Sequence, residues 1–212
     1  IVTGNRGRRG GALSNVKAIR CHIHDNTCTY TGAQTIGGEF YSCLIECAAG
    51  YDVYQPDKIV NCTFIGVNGS SYINTLKGNV YNTILLGVGI NGNTYQVRPN
   101  PLTISTNYVY NTVSASSYAS GLTPDALDAM TCRIKDATSV VLNDRKAPVA
   151  YNPAIGRCTD YEAYEALFPA AFRDEAAYDF YGNPRLGDDD KFDVGAVEAV
   201  EATAENTDWY VD

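Results

Sequence analysis

"AIRCHIHD" (18–25), "FYSCLIEC" (40–47), "IVNCTFIG" (59–66) and "VYNTILLG" (80–87) are four versions of one eight-residue segment. Cys21 and Cys43 are 22 residues apart, Cys43 and Cys62 19, and Cys62 and Thr83 21. Aligned, the segments give three apolar or small columns: Ile19/Tyr41/Val60/Tyr81, Cys21/Cys43/Cys62/Thr83 and Ile23/Ile45/Phe64/Leu85. The columns are two residues apart, which is the period of a strand with one buried face. All three are therefore expected to point inward. The alternate columns, Arg20/Ser42/Asn61/Asn82 and His22/Leu44/Thr63/Ile84, should then point outward as a largely uncharged face that can pack on a partner or stack a sugar. Each segment is followed by a polar stretch rich in Gly or Asn, read as a turn: "NTCTYTG" (26–32), "AAGYD" (48–52), "VNGSS" (67–71) and "VGINGN" (88–93).

A unit of this length cannot bury its own apolar row. Stacking one coil on the next does, because each inward side chain then lies on its equivalent above and below. β-Branched and aromatic residues dominate, and no helical periodicity competes. The sequence thus predicts an all-β fold, a parallel β-solenoid, with Cys21, Cys43 and Cys62 as a ladder of free thiols in its interior. Past residue 90 the repeat loosens, though "STNYVYNTVSAS" (105–116) echoes "GNVYNTILLG" (78–87) after an interval of 29.

From 123 the character changes. Residues 1–122 carry 8 Lys+Arg and 5 Asp+Glu, a balance of +3, whereas 123–212 carry 8 and 19, a balance of −11. "TPDALDAM" (123–130) reads as a short helix with a Thr cap and Pro at its first position. "TDYEAYEALFPAAF" (159–172) reads as a second helix, broken or ended at Pro169. The organisation expected is coils over 1–122, a C-terminal capping region over 123–199, and a tail over 200–212 leading toward a possible anchor. The chain starts at Ile1 without an initiator Met, so it is expected to be a piece of a longer protein, with upstream coils as its neighbours.

The overall charge of −8 and pI near 4.7 argue against a nucleic-acid partner, which needs a basic surface. "RGRR" (6–9) is too short to reverse this and reads as a solvated turn. No apolar run is long enough for a transmembrane segment. Seven cysteines cannot all pair within the chain. Cys43 and Cys47 have no His pair or second Cys pair at zinc-site spacing, and Cys132 and Cys158, outside the repeat, are candidates for pairing with each other.

The C-terminal motif is the most specific in the chain. "RGGALSN" (9–15), the coils "NCTFIG" and "YNTILLG", "NPAIGRCTD" (152–160) and above all "DFYGNPRLGDDDKFDVGAVEA" (179–199) resemble the right-handed parallel β-helix repeat proteins of the choice-of-anchor Q domain group. The terminal stretch matches that group's D-x-x-G-x-P-R … D-I-G-A-x-E ending, while Gly156-Arg157-Cys158 departs from its usual Asp-Ala-Gly run. The resemblance implies a right-handed solenoid, a bacterial origin, and secretion or display at the cell surface.

Within that motif Gly182 and Pro184 make a turn. Arg185 is a rigid donor fork able to meet Asp193 or Glu198 as a buried pair. Phe192, Val194 and Ala196 alternate with Asp193, Gly195 and Val197 as a last strand with one face inward. Asp188, Asp189 and Asp190 lie in the loop between. Lacking the alternating ligands and central Gly of a calcium loop, they read as solvated, with a Ca²⁺ site as the alternative. No other cofactor is implied.

For chemistry, the coils offer Asp25, Glu39, Glu46, Asp52 and Asp57 without a stacked carboxylate pair, the minimum for glycoside hydrolysis. The remaining candidates are His22, His24 and Asp25, an outward imidazole pair beside a carboxylate that is able to act as a base or hold a metal. Sixteen tyrosines suit both solenoid packing and the recognition of glycans. The expected function is adhesion, glycan binding or spacing at a bacterial surface, with a glycan or a host or cell-surface partner. The alternative is a polysaccharide lyase or glycoside hydrolase whose catalytic coils lie upstream.

Overall fold

A computed structural model describes residues 1–32, 34–48, 50–66, 71–74, 79–86, 88–91, 109–110, 113–114, 141–149, 154–187 and 190–199. Among the described residues the coils form three long parallel sheets and one two-stranded parallel pair. One runs Val2–Thr3, His22–His24, Leu44–Cys47, Thr63–Gly66, Ile84–Leu86, Val113–Ser114. The second runs Leu13–Ser14, Thr35–Ile36, Gly50–Tyr54, Ser71–Asn74, Val88–Asn91. The third runs Lys17–Ile19, Glu39–Tyr41, Lys58–Val60, Asn79–Tyr81, Val109–Tyr110. The chain passes from third sheet to first to second and returns one coil further on. The fold is a parallel β-solenoid.

The register is the sequence alignment. Tyr41 pairs with Ile19 and Val60, Val60 with Tyr81, and Ile45 with Ile23 and Phe64. The loosened fifth repeat also joins in register, Tyr81 against Tyr110 and Ile84 against Val113. The stretches read as turns carry more structure than expected. Thr27–Thr31, Gly50–Tyr54, Ser71–Asn74 and Val88–Asn91 are strands, the last three forming much of the second sheet. "RGRR" is likewise no turn: Arg6–Arg9 pairs in parallel with Thr27–Thr31.

Facing within the repeat departs from the simple alternation at one point. Arg20, Ser42, Asn61 and Asn82 have φ of +48°, +50°, +46° and +46°. This is the left-handed region, which Asn tolerates better than most residues. One such residue per coil turns the chain from the third sheet into the first, and it falls out of the two-residue alternation. As a result Ala18, Phe40, Ile59 and Val80 fill the solenoid interior with Ile23, Ile45, Phe64 and Leu85. Ile19, Tyr41, Val60 and Tyr81, expected inward, face outward into a second apolar cluster.

The cysteine column does point inward. Cys43 and Cys62 are fully buried, and Cys21 is partly buried against them. Each side chain in the column donates to the carbonyl two residues back: Cys21 to Ile19 (3.4 Å), Cys43 to Tyr41 (3.3 Å), Cys62 to Val60 (3.3 Å) and Thr83 to Tyr81 (2.7 Å). The last three also accept a backbone N–H from the preceding coil. Cys21 N–H reaches Cys43 Sγ, Cys43 N–H reaches Cys62 Sγ, and Cys62 N–H reaches Thr83 Oγ1. The column therefore needs a small side chain that both donates and accepts at the inside of each corner, which is why Thr83 can replace Cys. All three cysteines are free thiols, and burial pushes the Cys43 thiol up, disfavouring the reactive thiolate. In the native protein Cys43 and Cys62 should resist a thiol reagent, then react fully once the chain is unfolded without reductant. Native labelling at the unfolded rate would contradict the buried ladder.

Toward the C-terminus the chain leaves the stack and lies along its side. An α-helix, Tyr161–Glu165, starts at Asp160, whose carboxylate accepts Ala163 N–H at 2.9 Å. After Pro169 a 3₁₀ segment, Ala170–Ala177, continues, so the helix expected over 159–172 is shorter and the helical character runs further. Tyr164, Phe168, Ala176, Phe192 and Val194 pack on Tyr41, Val60 and Ile84, closing the second cluster. Ala147, Ala196 and Val197 pack on Leu44. The outward columns expected to be a free face for a partner are thus largely covered by the chain's own C-terminal segment. The helix expected at 123–130 lies outside the described residues, as does Cys132.

Candidate functional site

The terminal segment Phe192–Val197 is buried at every position and is not the one-faced strand expected. It sits in the corner groove as an extended piece whose polar groups are met one by one. Phe192 N–H donates to Cys158 O, Val194 N–H to Ala154 O, Gly195 N–H to Asn82 O and Ala196 N–H to Thr63 Oγ1. Asn61, held at the left-handed corner, donates from Nδ2 to both Asp193 O (3.0 Å) and Gly195 O (2.9 Å).

Arg185 is the centre of this fastening, its side chain fully buried. A guanidinium has five N–H donors, and all five are used. Nε donates to Tyr178 O; Nη1 donates to Gly195 O and, at 2.5 Å, to Glu198 Oε1; Nη2 donates to Ser42 Oγ and Ala196 O. Of the two carboxylates the sequence offers, Arg185 takes Glu198. Asp193 instead accepts Gly156 N–H and Ala199 N–H. The other Glu198 oxygen accepts Asp193 N–H, and burial pushes the Glu198 carboxyl up to about 8 against the opposing pull of Arg185.

Gly182 (φ +87°) and Pro184 form the turn below the arginine, with Pro184 bridged to Tyr178. Asp179 organises that turn by accepting Tyr181 N–H, Asn183 N–H and Asn183 Nδ2, and also Glu198 N–H. Sequence reasoning misses Asp179, Ser42 and Asn61 as partners. An Asp two and four residues ahead of the backbone groups it caps is a readable turn signal, but the Ser42 and Asn61 contacts join residues more than 130 apart.

His22 and His24 stand side by side on the outer face of the first sheet, ring centroids 4.2 Å apart and tilted 35°. Their carboxylate partners differ. His22 Nε2 lies 3.0 Å from Glu46 on the next coil, and His24 Nδ1 lies 2.8 Å from Asp25. Phe180 stands edge-on to His22 at 6.3 Å. Among the described residues no three His, Cys, Asp or Glu side chains converge as a metal cage. Asp190 is exposed at φ +58°, while Asp188 and Asp189 lie outside the described residues.

A groove of about 390 Å³ lies between the coil corner and the Tyr161–Glu165 helix, lined in part by Tyr81, Asn82, Arg157, Asp160, Tyr164 and Phe192. Its volume falls within the usual ~300–1,000 Å³ range of small-ligand sites. It combines aromatic faces with a cation, a carboxylate and an amide. Among the described residues no helix is long and apolar enough to cross a membrane. Compared with family models, curated proteins and solved structures, the chain finds no match, so its place is fixed by architecture: a parallel β-solenoid with short helices toward its C-terminus.

Proposed function

We propose that this chain is part of a secreted or cell-surface bacterial β-solenoid, of the choice-of-anchor Q kind, which holds glycan in the groove beside its closing helix. The coil stack serves as the rigid spacer. The observation that carries this reading is the make-up of that groove, with Tyr81 on the corner and Arg157 and Asp160 on the loop facing it. An aromatic face stacks on a sugar ring while flanking charged groups meet its hydroxyls or carboxylates. The buried charges Arg185, Asp179, Asp193 and Glu198 are engaged in fastening the chain to itself.

The enzyme reading draws on a different observation, the pairing of His22 with Glu46 and of His24 with Asp25. A base oriented by a carboxylate is a component of proton-transfer catalysis. One experiment separates the two. The protein is run through gels containing uronic-acid or neutral polysaccharides and, in parallel, incubated with the same polymers while reducing ends and unsaturated products are followed. Retardation that Tyr81→Ala removes while the variant remains folded, together with no turnover, supports the glycan-binding solenoid. Turnover abolished by His22→Ala or His24→Ala would replace it with the enzyme.

A further inference from the structure

We infer that His22 and His24 together form a binding site for one divalent transition-metal ion on the outer face of the solenoid. The first ground is the state of the rings. An ionised carboxylate only accepts hydrogen bonds, so Glu46 fixes the proton of His22 on Nε2 and Asp25 fixes that of His24 on Nδ1. In its neutral form each ring then keeps a lone pair on its other nitrogen, Nδ1 of His22 and Nε2 of His24. Neither of those nitrogens has a hydrogen-bond partner among the described residues. A carboxylate behind the imidazole is the arrangement that sets ring orientation and raises ligand basicity in metal sites.

The second ground is the spacing. Two imidazoles that bind one ion in adjacent positions at about 2.0–2.1 Å hold their centroids roughly 4.5–5 Å apart. The observed 4.2 Å falls just below that range, past the end that belongs to an angle near 90° at the metal, so the rings would spread slightly to share one ion. Such an angle suits the tetragonal N,O sites preferred by Ni²⁺ and Cu²⁺. Two nitrogens leave the remaining positions to water or to donor groups of a partner. The rings are also reachable, about a quarter of His22 and a fifth of His24 being exposed.

The chain contains no other histidine, so its imidazole C–H proton resonances report on this site alone. Ni²⁺, a paramagnetic probe that does not oxidise the free thiols, is titrated into the intact protein while those resonances and the heat of binding are recorded. Both rings should broaden together along one isotherm. His22→Gln and His24→Gln should each weaken binding at the remaining ring at least tenfold. Glu46→Gln, which keeps both ligands but alters the group behind His22, should weaken binding by about ten- to a hundredfold. Two rings that broaden along separate isotherms, or affinity at one ring unchanged by loss of the other, would overturn the shared site.

Discussion

Arg185→Ala is expected to lower the unfolding free energy by about 3–5 kcal/mol, the cost of breaking a buried ion pair by removing one partner. The loss has two parts. Glu198 would remain buried without its cation, and four further acceptors, Tyr178 O, Gly195 O, Ala196 O and Ser42 Oγ, would lose their donor. Arg185→Lys should recover little, since an ammonium has three donors from one point and cannot reach acceptors spread around a planar fork. Chemical denaturation of the wild type and both variants checks this. A midpoint for Arg185→Ala equal to that of the wild type would mean that the C-terminal segment contributes nothing to the fold. The groove beside the helix depends on Tyr164 and Phe192, which the same fastening holds in place, so sugar retention should fall together with stability.

Gly195→Val should have an effect of similar size by a different route. Gly195 has φ +108°, and a Cβ there would stand 2.7 Å from Ile84 Cδ1 and 2.9 Å from Thr63 Oγ1. Strain from an unsuitable backbone region costs about 1–3 kcal/mol, and overpacking adds about 1–3 kcal/mol. Thr63 Oγ1 is also the acceptor for Ala196 N–H, so it cannot give way without loss. Gly4 provides the control. Its φ is +70° and nothing lies within 4 Å of where its Cβ would be, so Gly4→Val shows the backbone strain alone. A Gly195→Val variant no less stable than Gly4→Val would mean that the corner contact is loose.

Much of this architecture is legible in the sequence because stacking imposes a linear order. Residues that lie on one another in space, such as Cys21, Cys43 and Cys62, recur at nearly constant spacing, so aligning the repeats is enough to set the register. The facing of Tyr41 and Val60 is not legible by alternation alone, because a single left-handed residue resets the phase. The clue is present in Asn61 and Asn82, whose type favours that conformation, but Arg20 and Ser42 at the equivalent places give no such sign. The docking of the terminus is legible only in part. "FYGNPR" announces a turn and an arginine, but not that the arginine crosses to Ser42 or that the segment covers the columns of Asn61 and Thr63. Those contacts depend on where the chain returns, which local pattern does not encode. The imidazole pair is intermediate: His22 and His24 share a face by the period of the strand, while Glu46 joins them only through the stacking of one coil on the next.

The C-terminal segment acts as a single lateral clasp along the solenoid corner, and a double-mutant cycle between Arg185→Ala and Gly195→Val tests this most directly. The two positions meet through Arg185 Nη1 and Gly195 O. If both substitutions release the same clasp, the double variant should be only about 1–2 kcal/mol less stable than the worse single one, giving a coupling energy of about 2–3 kcal/mol, at the upper end for residues in contact. Effects that add to within about 0.5 kcal/mol, as for independent sites, would contradict it.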